Sequence, residues 1–149
     1  MYTFLKVFTN MLASHGIIPP EADNETADQE NRTFWQNFPD EASNVGNCYL
    51  VKEYNSMGDS FKNKETIVRN IQLVVRNYSQ IAAIEASTTI YTFLHNRPEI
   101  IEDLTWEDEK GTHTGYVIIK CNNGPQKLEE DKQGRYRYSV SCAITTNII

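Results

Sequence analysis

RNIQLVVRNYSQIAAIEASTTIYTFLHN, residues 69–96, changes its hydrophobic period once, near Ser79, and that change decides the fold. Before it the period is two. Ile71, Leu73 and Val75 share one face of an extended segment, while Asn70, Gln72 and Arg76 share the other with Val74 as the exception, the pattern of a half-buried strand. After it, Ile81, Ile84, Thr88, Tyr91 and Leu94 recur at helical steps, a stripe along a helix of about four turns. Ser79 suits the N-cap, its hydroxyl placed to accept from the Ala82 amide, with Asn77 as a competing candidate. A strand running into an amphipathic helix predicts a two-layer core in which that stripe lies over Ile71, Leu73 and Val75.

Outward from this unit, residues 2–14 place Leu5, Phe8 and Met11 or Leu12 on one helical face, and Gly16 with Pro19-Pro20 stops the helix. Only Lys6 adorns the polar side, so the helix packs on the core rather than on a membrane surface. Residues 19–47 are polar and acidic with no sustained period, a long loop interrupted by Phe34, Trp35 and Phe38. Three large aromatics in a solvated loop either fold back on the domain's own core or dock on a partner. Residues 47–55 predict a strand pairing antiparallel with the one at Arg69, across a loop that holds Lys62 and Lys64. Residues 99–115 read as an acidic connection holding Trp106 and a Lys110-Gly111 turn. Residues 115–122 read as a β-branched strand stopped by Asn123-Gly124-Pro125. A charged excursion over 126–135 leads into residues 136–146, where Tyr136, Tyr138, Val140, Cys142 and Ile144 alternate with polar or small residues. Leu73, Val140 and Cys142 are expected to be buried. The sum is one α+β domain over residues 1–149. It has an about four-stranded, mostly antiparallel sheet, with the N-terminal and central helices packed on one face.

With 149 residues, 40% of them hydrophobic, the chain has the size of one domain with one core. Its formal charge of −6 argues against a groove that grips nucleic acid by counterion release, though not against a channel through which it slides. Cys48, Cys121 and Cys142 each lie in an apolar run and read as reduced, buried thiols. Neither a secretory leader nor a run long enough for a membrane span is read, so a cytosolic chain is expected and the sequons at Asn24, Asn31 and Asn77 are chance composition. His15, His95 and His113 are scattered, which speaks against a metal site. No G-x-S-x-G elbow or phosphate-cradling glycine loop occurs. The paired acids at Glu102-Asp103, Glu107-Asp108-Glu109 and Glu129-Glu130-Asp131 lie in polar runs and read as solvated surface. No catalytic residue, cofactor site or metal site is assigned, and an enzyme is not expected.

Three places resemble the tail terminator proteins of long-tailed bacteriophages, also called minor capsid or tail-to-head joining proteins. FLKVFTNMLASHGI is similar to that family's N-terminal helix, and RNIQLVVRNYSQIAAIEASTTIYTFL to its strand with a terminal Arg followed by the central helix. GPQKLEEDKQGRYRYSVSCAIT is similar to its late segment, in which a Pro, a short charged stretch, an Asp and a Gly-Arg precede the last alternating strand. The acidic stretch 19–47 is longer than that family's pattern. The resemblance implies a non-catalytic virion subunit, made in the bacterial host cytoplasm. It would form a ring, commonly a hexamer, that caps the tail tube and meets the head-side connector. Genomic DNA would pass through the lumen without sequence-specific binding, and no membrane is involved. The expected contact residues are Phe34, Trp35, Phe38, Lys62, Lys64, Arg69, Arg76, Lys132, Arg135 and Arg137, with the excursions 56–65 and 126–135 as main contact elements. Competing readings are another neck or head-completion protein and a cytosolic α+β ligand-binding or adaptor domain.

Overall fold

The change of period near Ser79 is a change of element. The structure, a computed structural model, describes residues 3–19, 32–35, 47–54, 66–95, 100–132 and 134–148. In chain order the elements are α1 (Thr3–Ser14), β1 (Arg32–Trp35), β2 (Cys48–Glu53), β3 (Ile67–Asn77), α2 (Gln80–His95), β4 (Ile100–Asp108), β5 (Gly111–Lys127) and β6 (Tyr136–Thr146). The Ser79 hydroxyl accepts from the Ala82 amide at 3.3 Å, capping α2. Asn77 takes a different part, its Oδ1 accepting from the Ser79 amide at 2.8 Å and closing the turn between strand and helix. At the other helix, Gly16 sits at φ 72 and donates to the Ala13 carbonyl, while the Ile17 amide reaches the Leu12 carbonyl. This is a Schellman end, for which glycine is the residue without a steric penalty.

The fold is α+β, with the strands in the order β1-β2-β3-β6-β5-β4. Every neighbouring pair is antiparallel except β1 and β2, which run parallel. Among the described residues there are therefore six strands where about four were expected. The additions are β1, inside the 19–47 stretch, and β4, inside the acidic connection. β5 also runs past the expected stop at Asn123-Gly124-Pro125, because register shifts between Lys120, Asn123 and Gln126 absorb the proline as a bulge.

One sheet face carries Val51, Ile71, Leu73, Val75, Val117, Ile119, Val140, Cys142 and Ile144, all buried. Phe4, Leu5, Phe8 and Leu12 of α1 and Ile90 and Leu94 of α2 join them in a single core cluster. The stripe of α2 differs from the expected one. Its buried residues are Ala83, Ser87, Ile90 and Leu94, whereas Ile81 is 69% and Ile84 40% exposed and Thr88 is also exposed. Small Ala83 and Ser87 allow the first half of the helix to sit close on the sheet, and the Ser87 hydroxyl is satisfied by the Ile84 carbonyl at 3.0 Å. Cys48, Cys121 and Cys142 are free thiols and buried, and burial pushes the Cys142 thiol well above its ordinary pKa.

Candidate functional site

Two of the sequence stretches singled out above meet at one end of the sheet. Arg76 leaves the end of β3, and Asp131, Gly134 and Arg135 belong to the turn before β6. The Asp131 carboxylate accepts from the Arg135 amide at 2.9 Å and from Arg135 Nε at 2.6 Å. Gly134, at φ 77, lets the turn close, its amide donating to the Asp131 carbonyl and the Asp131 amide to the Arg135 carbonyl. Arg76 Nη1 lies 3.8 Å from the same carboxylate. Both arginine side chains are 2% exposed and Asp131 is 16% exposed. The Arg135 guanidinium also lies 5.6 Å from the centre of the Tyr78 ring, a cation over an aromatic face. Burial, and then the adjacent Arg135, push the Arg76 guanidinium below its ordinary pKa, with Cys48 and Asp131 acting the other way. It stays charged nonetheless, since guanidinium titrates far above neutral pH. Two cations thus share one carboxylate in a nearly dry place, an arrangement that fixes geometry rather than performing chemistry.

The other expected contact residues fall in different settings. Arg69 is locked inside the fold. Its Nη1 donates to both Glu53 oxygens at 2.8 Å, its Nε and Nη2 to the Ile148 carbonyl, and its guanidinium lies 4.7 Å from the centre of the Phe4 ring. Arg137, half-buried opposite Arg76, donates from Nε to the Glu129 carbonyl at 2.8 Å. Lys132 is exposed in the turn. Phe34 and Trp35 lie in β1, opposite Leu50 and Val51 in register. Phe38, Lys62, Lys64 and the 56–65 excursion lie outside the described residues. The 126–135 excursion is no free loop at its base, because the Leu128 amide continues the β5–β6 ladder onto the Arg137 carbonyl. Arg76 and Arg135 are consequently interior supports of that turn and not surface contacts. Among the described residues no group of His, Cys, Asp and Glu is arranged to hold a metal ion.

Two surfaces escaped the sequence reading. The first is the hairpin of β4 and β5. β6 pairs with β5 only from Val117 onward, so the pairs from Asp103↔Tyr116 to Asp108↔Gly111 extend past the β6 ladder. The inner side of this arm carries Trp106, stacked on His113 at 5.5 Å, and His113 Nε2 lies 2.8 Å from Asp108 Oδ1. Asp108 also accepts from the Lys110 amide at 2.7 Å, which with Gly111 at φ 119 forms the tip. These hydrogen bonds, that from His113 foremost, hold the Asp108 carboxyl below its ordinary pKa. A cleft of about 270 Å³ separates Lys6, Val7 and Asn10 of α1 from residues 105–108. Where the arm meets the body, His15 joins three elements, lying 3.0 Å from Glu102 and with its ring tilted against Phe93 at 5.0 Å between centroids. The Lys110-Gly111 turn between Leu104, Trp106 and a threonine-rich run was the available signal for this hairpin.

The second surface is the sheet face away from the helices. One register row runs Lys52, Gln72, Ser141 and Asn123, and the next runs Asn70, Ala143 and Lys120. A depression of about 170 Å³ opens among Tyr54, Asn70, Lys120, Asn123, Ser141 and Ala143. Lys52, Lys120 and Asn123 are exposed there. No protein-family model matches the chain, and no curated protein matches it either.

Proposed function

We propose that the chain is a tail terminator of a long-tailed bacteriophage. In this reading copies of it close into a ring, commonly a hexamer, that caps the finished tail tube and seats the head-side connector. Genomic DNA crosses the lumen without base-specific contacts, the protein is assembled in the host cytoplasm, and it ends in the virion neck. The carrying observation is the meeting of Arg76 with Asp131, Gly134 and Arg135. These are residues of two of the three stretches that resemble that family, more than 50 positions apart in sequence, held around one carboxylate. The α+β body with a projecting hairpin also suits a subunit whose work is making contacts. Many modest contacts repeated around a closed interface add up to firm seating, because after the first the others become intramolecular.

Native mass spectrometry tests the ring, and electron microscopy of the protein mixed with tail tubes tests the cap. The expected result is a discrete oligomer sitting on one tube end. A phage lacking the gene is expected to accumulate DNA-filled heads beside unjoined tails. Normally joined particles in its absence would overturn the reading, and leaking heads with finished tails would turn it into a head-completion protein.

A further inference from the structure

The β4–β5 arm and the open sheet face are opposite in charge. Among its described residues the arm carries Asp103, Glu107, Asp108 and Glu109, all exposed, against the single Lys110. The open face, taken over β2, β3, β5 and β6, carries Lys52 and Lys120 with amides and hydroxyls around them. Arg76 and Arg137 lie farther along the same face, where the Asp131 carboxylate lies 3.8 Å from Arg76, and no described residue of these four strands adds a carboxylate beside the two lysines. Glu53, the acid nearest in sequence, lies on the other face in its pair with Arg69. This cation-bearing patch belongs to a chain whose formal charge is −6.

Within one chain the two surfaces cannot meet. Lys120 is on the order of 25 Å along β5 from Thr112, the register partner of Glu107, at the usual rise of a strand. The arm continues away from the face, in the strand direction. Two surfaces that match and lie at different places on one molecule define a heterologous contact, the kind that passes from copy to copy and closes into a ring when the rotation allows.

We infer that the β4–β5 arm of one copy docks on the Lys52–Lys120 face of the next, its acidic tip seated over the depression between Lys120, Asn123 and Ser141. This rests on the ring reading and specifies its interface. A second copy fits better than a nucleic acid, because two lysines are too few for counterion-release binding, while an acidic two-stranded tip matches a shallow polar hollow flanked by two cations. The inner side of the arm, held by Trp106 on His113, keeps the tip in one shape, so little ordering is lost on docking.

The test uses two full-length variants, Lys52→Glu/Lys120→Glu and Glu107→Lys/Glu109→Lys. All four positions are exposed, and melting temperature confirms that each variant folds. Native mass spectrometry and sedimentation are expected to show wild-type rings, a loss of association of more than about tenfold in either variant alone, and mixed rings when the two are combined, since each reversed face then meets an opposite arm. Rings formed by both single variants as readily as by wild type would overturn the arm-to-face contact while leaving the ring standing. A wild type that stays monomeric would overturn both. A lysine variant that assembles normally but loses affinity for a duplex oligonucleotide would hand the face to nucleic acid and likewise overturn the inference.

Discussion

The pair β3–β6 and the pair β4–β5 are both antiparallel, yet they are opposites in how they are held. β3 and β6 pair along all 11 residues of each, come together from 59 (Asn77↔Tyr136) to 79 (Ile67↔Thr146) positions apart in sequence, and bury Ile71, Leu73, Val75, Val140 and Ile144. β4 and β5 pair across a tight turn, and past the β6 ladder their tip residues are exposed. The first pair owes its order to the core on one side and to the arginine-aspartate junction at its end. The second owes its order to the Trp106–His113 stack, the Asp108 hydrogen bonds and, at its base, the His15–Glu102 contact and Trp106 packed against the edge of the core. A contact surface placed on the second pair can vary without loss of the first.

The sharpest test of this contrast is removal of the shared carboxylate. Asp131→Ala leaves the guanidiniums of Arg76 and Arg135 close together in a nearly dry site, and breaking a buried ion pair from one side costs about 3–5 kcal/mol. Chemical denaturation measures it. A loss below about 1 kcal/mol would mean that the junction is solvated and adds no more than a surface pair.

Next in size is the core itself. Leu73→Ala is expected to lower stability by about 2–5 kcal/mol through lost burial and the cavity left behind. The three cysteines should resist thiol reagents until unfolding, Cys142 most of all, since burial disfavours its thiolate. Rapid labelling of native Cys142 would move β6 to the other face.

The same contrast explains what was legible. β3 and β6 were read from the sequence because a sheet buried on one side imposes a period of two, which is why Leu73, Val140 and Cys142 were placed correctly. β4 was read as a connection because Glu102, Asp103, Glu107 and Asp108 break the apolar alternation of a strand that needs little burial. α2 was recognised with its cap but misrotated. Size alone favoured Ile81 and Ile84, whereas close approach to the sheet favours Ala83 and Ser87. The junction is half legible: Arg76 and Arg135 read as contact cations and Asp131 as part of a solvated acidic run, and only three-dimensional pairing brings the three together in the interior. Ile90→Ala should therefore cost about 2–5 kcal/mol, and Ile81→Ser should stay within about 0.5 kcal/mol of wild type. Equal losses in the two would restore the expected stripe and place Ile81 against the core.

The smallest expected effect lies at the tip of the arm. Asp108 is hydrogen-bonded by His113 and by the Lys110 amide, and these bonds favour its ionised form, so its folded pKa is below the ordinary carboxylate value. A group depressed in this way adds its stabilisation above the ordinary pKa and loses it as pH falls through the folded one. The tip should therefore hold its shape down to mildly acidic pH and loosen only in strong acid, without global unfolding, because Asp108 is exposed and the core does not depend on it. A carbon-detected carboxyl titration checks this, with His113→Ala expected to bring Asp108 back toward the ordinary range. An unchanged titration in that variant would show that the turn amide alone holds the carboxylate and that the His113 contact does not order the arm. If the whole protein instead melted at the Asp108 midpoint, the arm would be part of the core, and the division drawn between the two strand pairs would fail.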